Sequence, residues 1–357
     1  MTTHMGRQIV YWLLVLSGLA WLAARLNRRK VLVLVYHGVH AGCAEPLLNF
    51  DGMHVRARRF ARQMQYVSRR YRVVALDRLL EPGQAPTPDR PCAVLTIDDG
   101  YRNIYRVAFP ILKRLRLPAT LFVPTGFIRG GRGFWWDRLR LILGAAQRPT
   151  LRFRIEGTER LFPIRTVEEQ RVTLAALSDE LRRLPRPRRE EALWSLATTL
   201  DVPPAEGGTF AEPLTPAEIR AMAEGGVTIG SHGVSHDSFL LLSRDALAHE
   251  LTESKRRLEQ WTGTRVDWLA YPHGEFSAGV MKAARRAGYR GAVTTIEALN
   301  DERPNPYALR RIGVHDNMTL AHFIVATSGL RDFVLGVVAA GTRLWSRAPA
   351  PQPRGVA

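Results

Sequence analysis

The chain has 357 residues, 46% hydrophobic and 24% charged, a balance that excludes disorder and fits one decorated domain of α/β-barrel size or two smaller domains. Two cysteines, Cys43 and Cys92, exclude both a disulfide framework and a cysteine-based zinc site. A formal net charge of +18 suits an anionic partner. No zinc finger, RNA-recognition signature or aromatic-interleaved basic stripe accompanies it, so a lipid surface is expected and nucleic acid is not.

The first informative stretch is Ile9 to Leu26, apolar until Arg25. With Gln8 it approaches the roughly 20 residues that cross a hydrocarbon core, so residues 1–30 are expected to form an uncleaved, single-pass membrane helix. A cleaved signal is the competitor, and the long apolar run without a clear A-x-A site argues against it. Arg25, Arg28, Arg29 and Lys30 follow the span while Arg7 precedes it, so the positive-inside rule argues for a cytoplasmic catalytic domain, with the side of the membrane left open.

Val31 to Tyr36 then reads as a strand buried on both faces, ending at His37. His37 is either a substrate contact or a hydrogen-bonded structural histidine. Ala57 to Arg70 reads as a helix with Phe60, Met64 and Val67 on one face, followed by strand Arg72 to Leu76. Strand Cys92–Ile97, helix Asn103–Leu115 and strand Ala119–Pro124 continue the alternation. After a gap come strand Val227–Ser231, helix Ser243–Trp261, strand Asp267–Tyr271, helix Ser277–Ala287, strand Tyr289–Thr294 and a last strand Leu309–Val314. Repeated strand-then-helix units imply parallel strands with helices outside, in a barrel or a doubly wound sheet. The gap, about residues 129–213, is expected to be a helical insertion; its Phe134, Trp135 and Trp136 either anchor it or offer a sugar-stacking platform. Beyond residue 330, Leu335 to Trp345 reads as a short amphipathic helix and the tail from Ala348 as disordered.

Polar residues at strand ends are where an α/β barrel keeps its reacting groups. Thr96 to Gly100 places adjacent carboxylates, Asp98 and Asp99, at the end of an apolar strand, where a divalent cation would offset their repulsion; a solvated Asp-Asp-Gly turn is the alternative. His232 and His236 follow the candidate strand at Val227, at a spacing that puts both imidazoles on one face of a helical turn; a chance pair on a loop is the alternative. Asp99, His232 and His236 together make a two-histidine, one-carboxylate site with positions left open for water. At Ala270 to Gly274, Pro272 fixes a turn and Gly274 admits close backbone approach, so the His273 amide could face a developing oxyanion.

These segments resemble the polysaccharide deacetylases of the NodB-homology type, carbohydrate esterase family 4, from about Val31 to Leu330 with the insertion interrupting. The family's T-F-D-D-G becomes Thr96 to Gly100, and its H-[ST]-x-x-H becomes His232 to His236, with Gly233 in the hydroxyl position. The resemblance implies a distorted, incomplete (β/α) barrel of about seven strands and an N-acetyl group on a carbohydrate substrate. It implies Asp98 as general base, and Asp99, His232 and His236 as ligands of a divalent ion of the Zn²⁺ kind. His273 would serve the oxyanion, with Tyr271 and Pro272 beside the substrate; His315, in a loose counterpart of the last family motif, would be the general acid. The arginine that orients the base in the family's R-x-P-Y-G motif is replaced by Ala270. A bacterial inner-membrane location follows as an expectation. The competing readings are a deacylase of a lipid-linked aminosugar and a catalytically idle glycan-binding component.

Overall fold

The structure, a computed structural model, describes residues 2–42, 47–80, 90–130, 133–155, 157–203 and 211–330. Cys43, the expected helix at Leu335 to Trp345 and the C-terminal tail lie outside them.

Twelve strands are described: β1 (Val31–Tyr36), β2 (Gly38–His40), β3 (His54–Arg56), β4 (Arg72–Val73), β5 (Cys92–Ile97), β6 (Ala119–Val123), β7 (Thr150–Ile155), β8 (Thr158–Pro163), β9 (Val227–Ser231), β10 (Trp268–Ala270), β11 (Gly291–Val293) and β12 (Ile312–Gly313). Seven form one parallel path in the order β11-β10-β9-β6-β5-β1-β12, with β4 beside β5. The path curls into a half-barrel, as the family resemblance implies. Its edges meet at the segment entering β12. Leu309 bridges Val293, the Thr294 amide donates to the Leu309 carbonyl at 2.8 Å, and Ile312 pairs with Leu34 of β1.

Alternation along the strands sorts their side chains. Val31, Val33, Cys92 and Val94 point inward with Phe122, Trp268 and Leu309. Leu32, Leu34, Ala93, Leu95 and Ile97 point outward into the main core beneath the helices. A period of two makes this sorting automatic. Among those helices are α3 (Ala57–Arg70), α4 (Phe109–Leu115), α5 (Thr125–Gly130), α9 (Pro216–Glu224), α10 (Arg244–Thr262), α11 (Ala278–Arg286) and α12 (Leu320–Thr327). The helix expected from Asn103 begins instead with a π turn, Ile104–Ala108, ahead of α4. Pro110 near the start of α4 has no N–H to give the preceding turn, so the wider turn costs little there.

The insertion carries helices α6 (Trp135–Ala145), α7 (Val167–Arg183) and α8 (Arg186–Leu200). The all-helical expectation is corrected: β7 and β8 form an antiparallel hairpin, Thr150 opposite Pro163, on the same subdomain. The alternating Leu151 and Phe153 feed a separate core with Leu139, Leu174 and Leu193. That alternation is a strand signal hidden among arginines.

The expectation of one uninterrupted N-terminal helix is corrected too. Thr2–Leu16 (α1) and Leu19–Leu26 (α2) are separate helices, and no single helix among the described residues is long and apolar enough to cross a membrane. Gly18 sits between them at φ 80°, and the pair is bent by 65°. Glycine tolerates that left-handed geometry and so ends the first helix. Val15, Ala20 and Ala23 pack on Ala321, Ile324 and Val325 of α12.

Phe122 fills the barrel interior with no exposure, whereas Leu161 on the hairpin is 62% exposed. Phe122→Ala is expected to cost about 3–5 kcal/mol and Leu161→Ala less than about 0.5 kcal/mol, read from urea unfolding midpoints.

Candidate active site

Inward parity along β5 runs Cys92, Val94, Thr96 and on to Asp98, so the Asp98 carboxylate enters the top of the barrel. It is 2% exposed. The Arg311 guanidinium meets it with two hydrogen bonds, 2.8 Å to Oδ1 and 2.7 Å to Oδ2. Arg311 also donates to Thr96 Oγ1 at 3.1 Å and to the Thr294 carbonyl at 2.8 Å. Burial alone would push the Asp98 carboxyl up; the guanidinium outweighs burial and holds it below the ordinary aspartate range. Ala270 does leave one family arginine missing, yet Asp98 is not without a partner. The segment that closes the barrel supplies Arg311 from the other end of the chain.

Asp99 follows at φ 76°, a left-handed conformation that turns its carboxylate away from the strand. His236 and His273 are also left-handed, at φ 62° and 58°. Such backbone persists where surrounding structure enforces it, commonly at functional sites. The expected helical turn for His232 to His236 is corrected, because these residues form an irregular loop. The Glu250 carboxylate ties that loop down, accepting the Val234 and Ser235 amides at 2.5 and 3.1 Å. Gly233 stands at φ 77° with Glu250 Oε2 only 2.8 Å from where a Cβ would sit. A side chain at this position would be strained by that φ and would crowd Glu250.

The loop brings His236 Nε2 to 3.3 Å and His232 Nε2 to 3.6 Å from Asp99 Oδ1. One ligand atom from each of the three lies within 4.8 Å of the others, and all three residues are buried. His232 Nδ1 sits 2.8 Å from the Ala270 carbonyl, which fixes the tautomer with Nε2 free to ligate. Asp99 Oδ1 has no well-aligned hydrogen-bond partner among the described residues. A buried, orphaned carboxylate oxygen facing two imidazole nitrogens fits a divalent cation, and the donor set suits Zn²⁺. Burial would raise the Asp99 carboxyl, but the imidazoles beside it hold it well below its ordinary range.

These groups open on a cavity of about 450 Å³ that His37, His273 and His315 also line. His273 stacks edge-on to His236 at 4.8 Å, and burial pushes it down to about 2, so its ring stays neutral. Burial likewise lowers His37. The Tyr271 hydroxyl donates to the Tyr307 carbonyl at 3.0 Å, so that polar end is committed to the core. Pro272 is buried and lies outside the cavity wall.

Tyr101, Arg140 and Asp51 line the cavity and, with Asp137, escaped the sequence reading, which did name Trp136. Trp136 lies edge-on to His236 at 5.0 Å while donating to Tyr101 Oη at 3.0 Å. Tyr101 donates to Asp137 at 2.8 Å, and Arg140 donates to Asp137 at 2.9 Å and pairs with Asp51. Burial raises Asp137 to about 6 despite both donors. Phe134 is buried between Phe127 and Trp136, with ring centroids 3.9 and 4.2 Å away. The aromatic triplet therefore anchors the insertion through Phe134 and lines the cavity through Trp135 and Trp136. Charged residues inside the apolar WWDRLRLIL run were the available signal for Asp137 and Arg140.

A curled parallel half-barrel with paired carboxylates and two histidines at its strand ends defines a hydrolase-type site. The polysaccharide deacetylase family model matches residues 85–147 and 185–292, on either side of the middle of the insertion. The chain belongs to the polysaccharide deacetylase family, and is a hydrolase acting on amide bonds. It is 20% identical over 306 residues to YxkH of Bacillus subtilis (strain 168), to which a polysaccharide deacetylase activity is ascribed, covering 85% of this chain and 78% of that one. The fold is similar to that of the Streptococcus pyogenes deacetylase PplD in complex with acetate, with TM-score 0.54 and 19% identity over 84% of this chain and 98% of that one. It is also similar to IcaB from Ammonifex degensii, with TM-score 0.51 and 17% identity over 84% and 97% of the two chains.

Removing Arg311 leaves a buried carboxylate unpaired, so Arg311→Met is expected to cost about 3–5 kcal/mol in unfolding free energy. With its folded pKa depressed, charged Asp98 stabilises the fold above the unfolded aspartate value of about 3.9, and that contribution is lost as pH falls through the lower folded value. Asp98→Asn should therefore start less stable at neutral pH and decline less steeply on acidification, as followed by urea unfolding at stepped pH.

Proposed function

We propose that this polysaccharide deacetylase is a metal-dependent hydrolase that removes N-acetyl groups from an aminosugar-containing polysaccharide or cell-envelope glycan, with Zn²⁺ as its ion. The reading rests on one observation, the meeting of Asp99, His232 and His236 within 4.8 Å of one another with the carboxylate of Asp98 beside them. Acetate, the product such a reaction releases, accompanies PplD. The lipid-linked and idle alternatives draw no support from the relatives.

Asp99, His232 and His236 would hold the cation, which supplies Lewis acidity toward the acetyl carbonyl and acidifies a water. Asp98 accepts the water's proton. Its lowered pKa keeps it ionised and ready to do so, and Arg311 fixes the direction of its lone pairs. The His273 backbone amide is assigned to the oxyanion that develops as the carbonyl carbon becomes tetrahedral. His315, half-buried on the cavity wall, is assigned the proton that the departing amine needs. His37 faces the same space and is assigned a contact to the sugar; Tyr271 lines the cavity behind it, and Pro272 fixes the turn that presents His273 without reaching the cavity itself.

Asp98→Asn is expected to keep its metal and lose about 10²–10⁴-fold in kcat/KM for acetate release from an N-acetylglucosamine oligomer. His232→Ala should lose both metal and turnover. Near-normal turnover by Asp98→Asn would remove the base assignment. Arg311 acts through Asp98, so Arg311→Lys should move the acid limb of the kcat/KM profile to higher pH, because a weaker pairing lets Asp98 protonate earlier. An unchanged limb would reduce Arg311 to a structural role.

A further inference from the structure

The α1–α2 pair has two faces. One is docked: Gln8 meets Thr319 at 2.5 Å, Tyr11 stacks on His322 at 4.3 Å, and Asn27 donates to the Ser328 carbonyl at 3.2 Å. The other is apolar and uncovered. Ile9, Trp12, Leu13 and Leu16 recur at helical spacing along α1, and Leu19, Leu22 and Leu26 along α2, all between 46% and 76% exposed. A face of that kind marks an interaction surface.

Two facts decide what covers it. The 15 residues of α1 reach about 22 Å at a helical rise, short of the roughly 30 Å of a hydrocarbon core, and the 65° bend keeps α2 from extending it in line. Docking along α12 also packs one face of the pair against the catalytic domain. Second, a cavity of about 350 Å³ opens where α2 meets α3, walled by Arg25, Arg28 and Arg70 with Trp21 and Tyr66. Arg70 lies 4.0 Å over the Trp21 ring, and none of the three arginines has a carboxylate partner among the described residues. Converging guanidiniums without acidic partners suit a phosphate. An aromatic ring among them suits the headgroup layer. A second copy of the chain would bring the same cations together, on a molecule already at +18.

We propose that α1 and α2 lie flat in the headgroup layer of an anionic lipid bilayer, with their outward leucines in the acyl boundary and a lipid phosphate in the Arg25–Arg28–Arg70 cavity. The pair anchors the enzyme to the surface of a membrane without spanning it. This does not rest on the metal-dependent mechanism.

The test is flotation of the full chain, diluted from detergent, with phosphatidylcholine vesicles with and without phosphatidylglycerol. Binding about tenfold stronger to the anionic vesicles is expected, with release by alkaline carbonate. Leu13→Ser with Leu22→Ser should abolish flotation at an unchanged thermal midpoint. If that variant fails to fold, Leu16→Lys, altering the most exposed of these leucines, should weaken flotation in its place. Arg25→Glu with Arg28→Glu should erase the preference for phosphatidylglycerol. Absence of flotation, retention through carbonate as a spanning helix, equal binding to both vesicles by the unaltered chain, or a solution dimer that the leucine changes dissolve without any vesicle binding would each overturn the proposal.

Discussion

Two adjacent carboxylates at the inner end of β5 set the terms for the rest of the structure. Each is nearly free of solvent, and two unscreened negative charges in succession cannot remain buried without compensation. The fold answers them separately. Asp98 receives a bidentate guanidinium from below, and Asp99 turns through a left-handed residue toward two imidazoles. The division of labour between neighbouring aspartates thus follows from which partner each can reach.

That arrangement depends on closure of the sheet. Arg311 reaches Asp98 because Leu309 bridges β11 and Ile312 pairs with β1, which draws the two edges of the curled sheet to one segment. Its remaining donors anchor to the Thr294 carbonyl and the Thr96 hydroxyl, so the guanidinium is fixed on both sides of the gap. Barrel closure and the charge state of Asp98 are therefore coupled. On the opposite wall Glu250 of α10 plays a similar part, holding the histidine loop through its amides.

The insertion is more than decoration. It has a hydrophobic cluster of its own, and it delivers Trp135, Trp136 and Arg140 to the cavity. The barrel supplies the paired carboxylates and the histidines, whereas the insertion shapes the cavity beside them.

The amino-acid sequence by itself determined the strand-helix alternation, because continuous apolar runs such as VLVLVY and CAVLTI are buried whatever their neighbours, and β1, α3, β5 and β9 lie where those runs lie. It also disclosed Asp98, Asp99, His232 and His236, since paired acids and paired histidines at strand ends form a local pattern. Only the tertiary structure decided the partner of Asp98, because Arg311 is 213 positions away and its burial depends on how the sheet curls. Only it decided that the histidine loop is irregular, a geometry imposed by Glu250 and not by the spacing. The first helix broke at Gly18 and lay along α12 for a related reason: hydropathy counts apolar residues, while the surface that covers them is set by the fold.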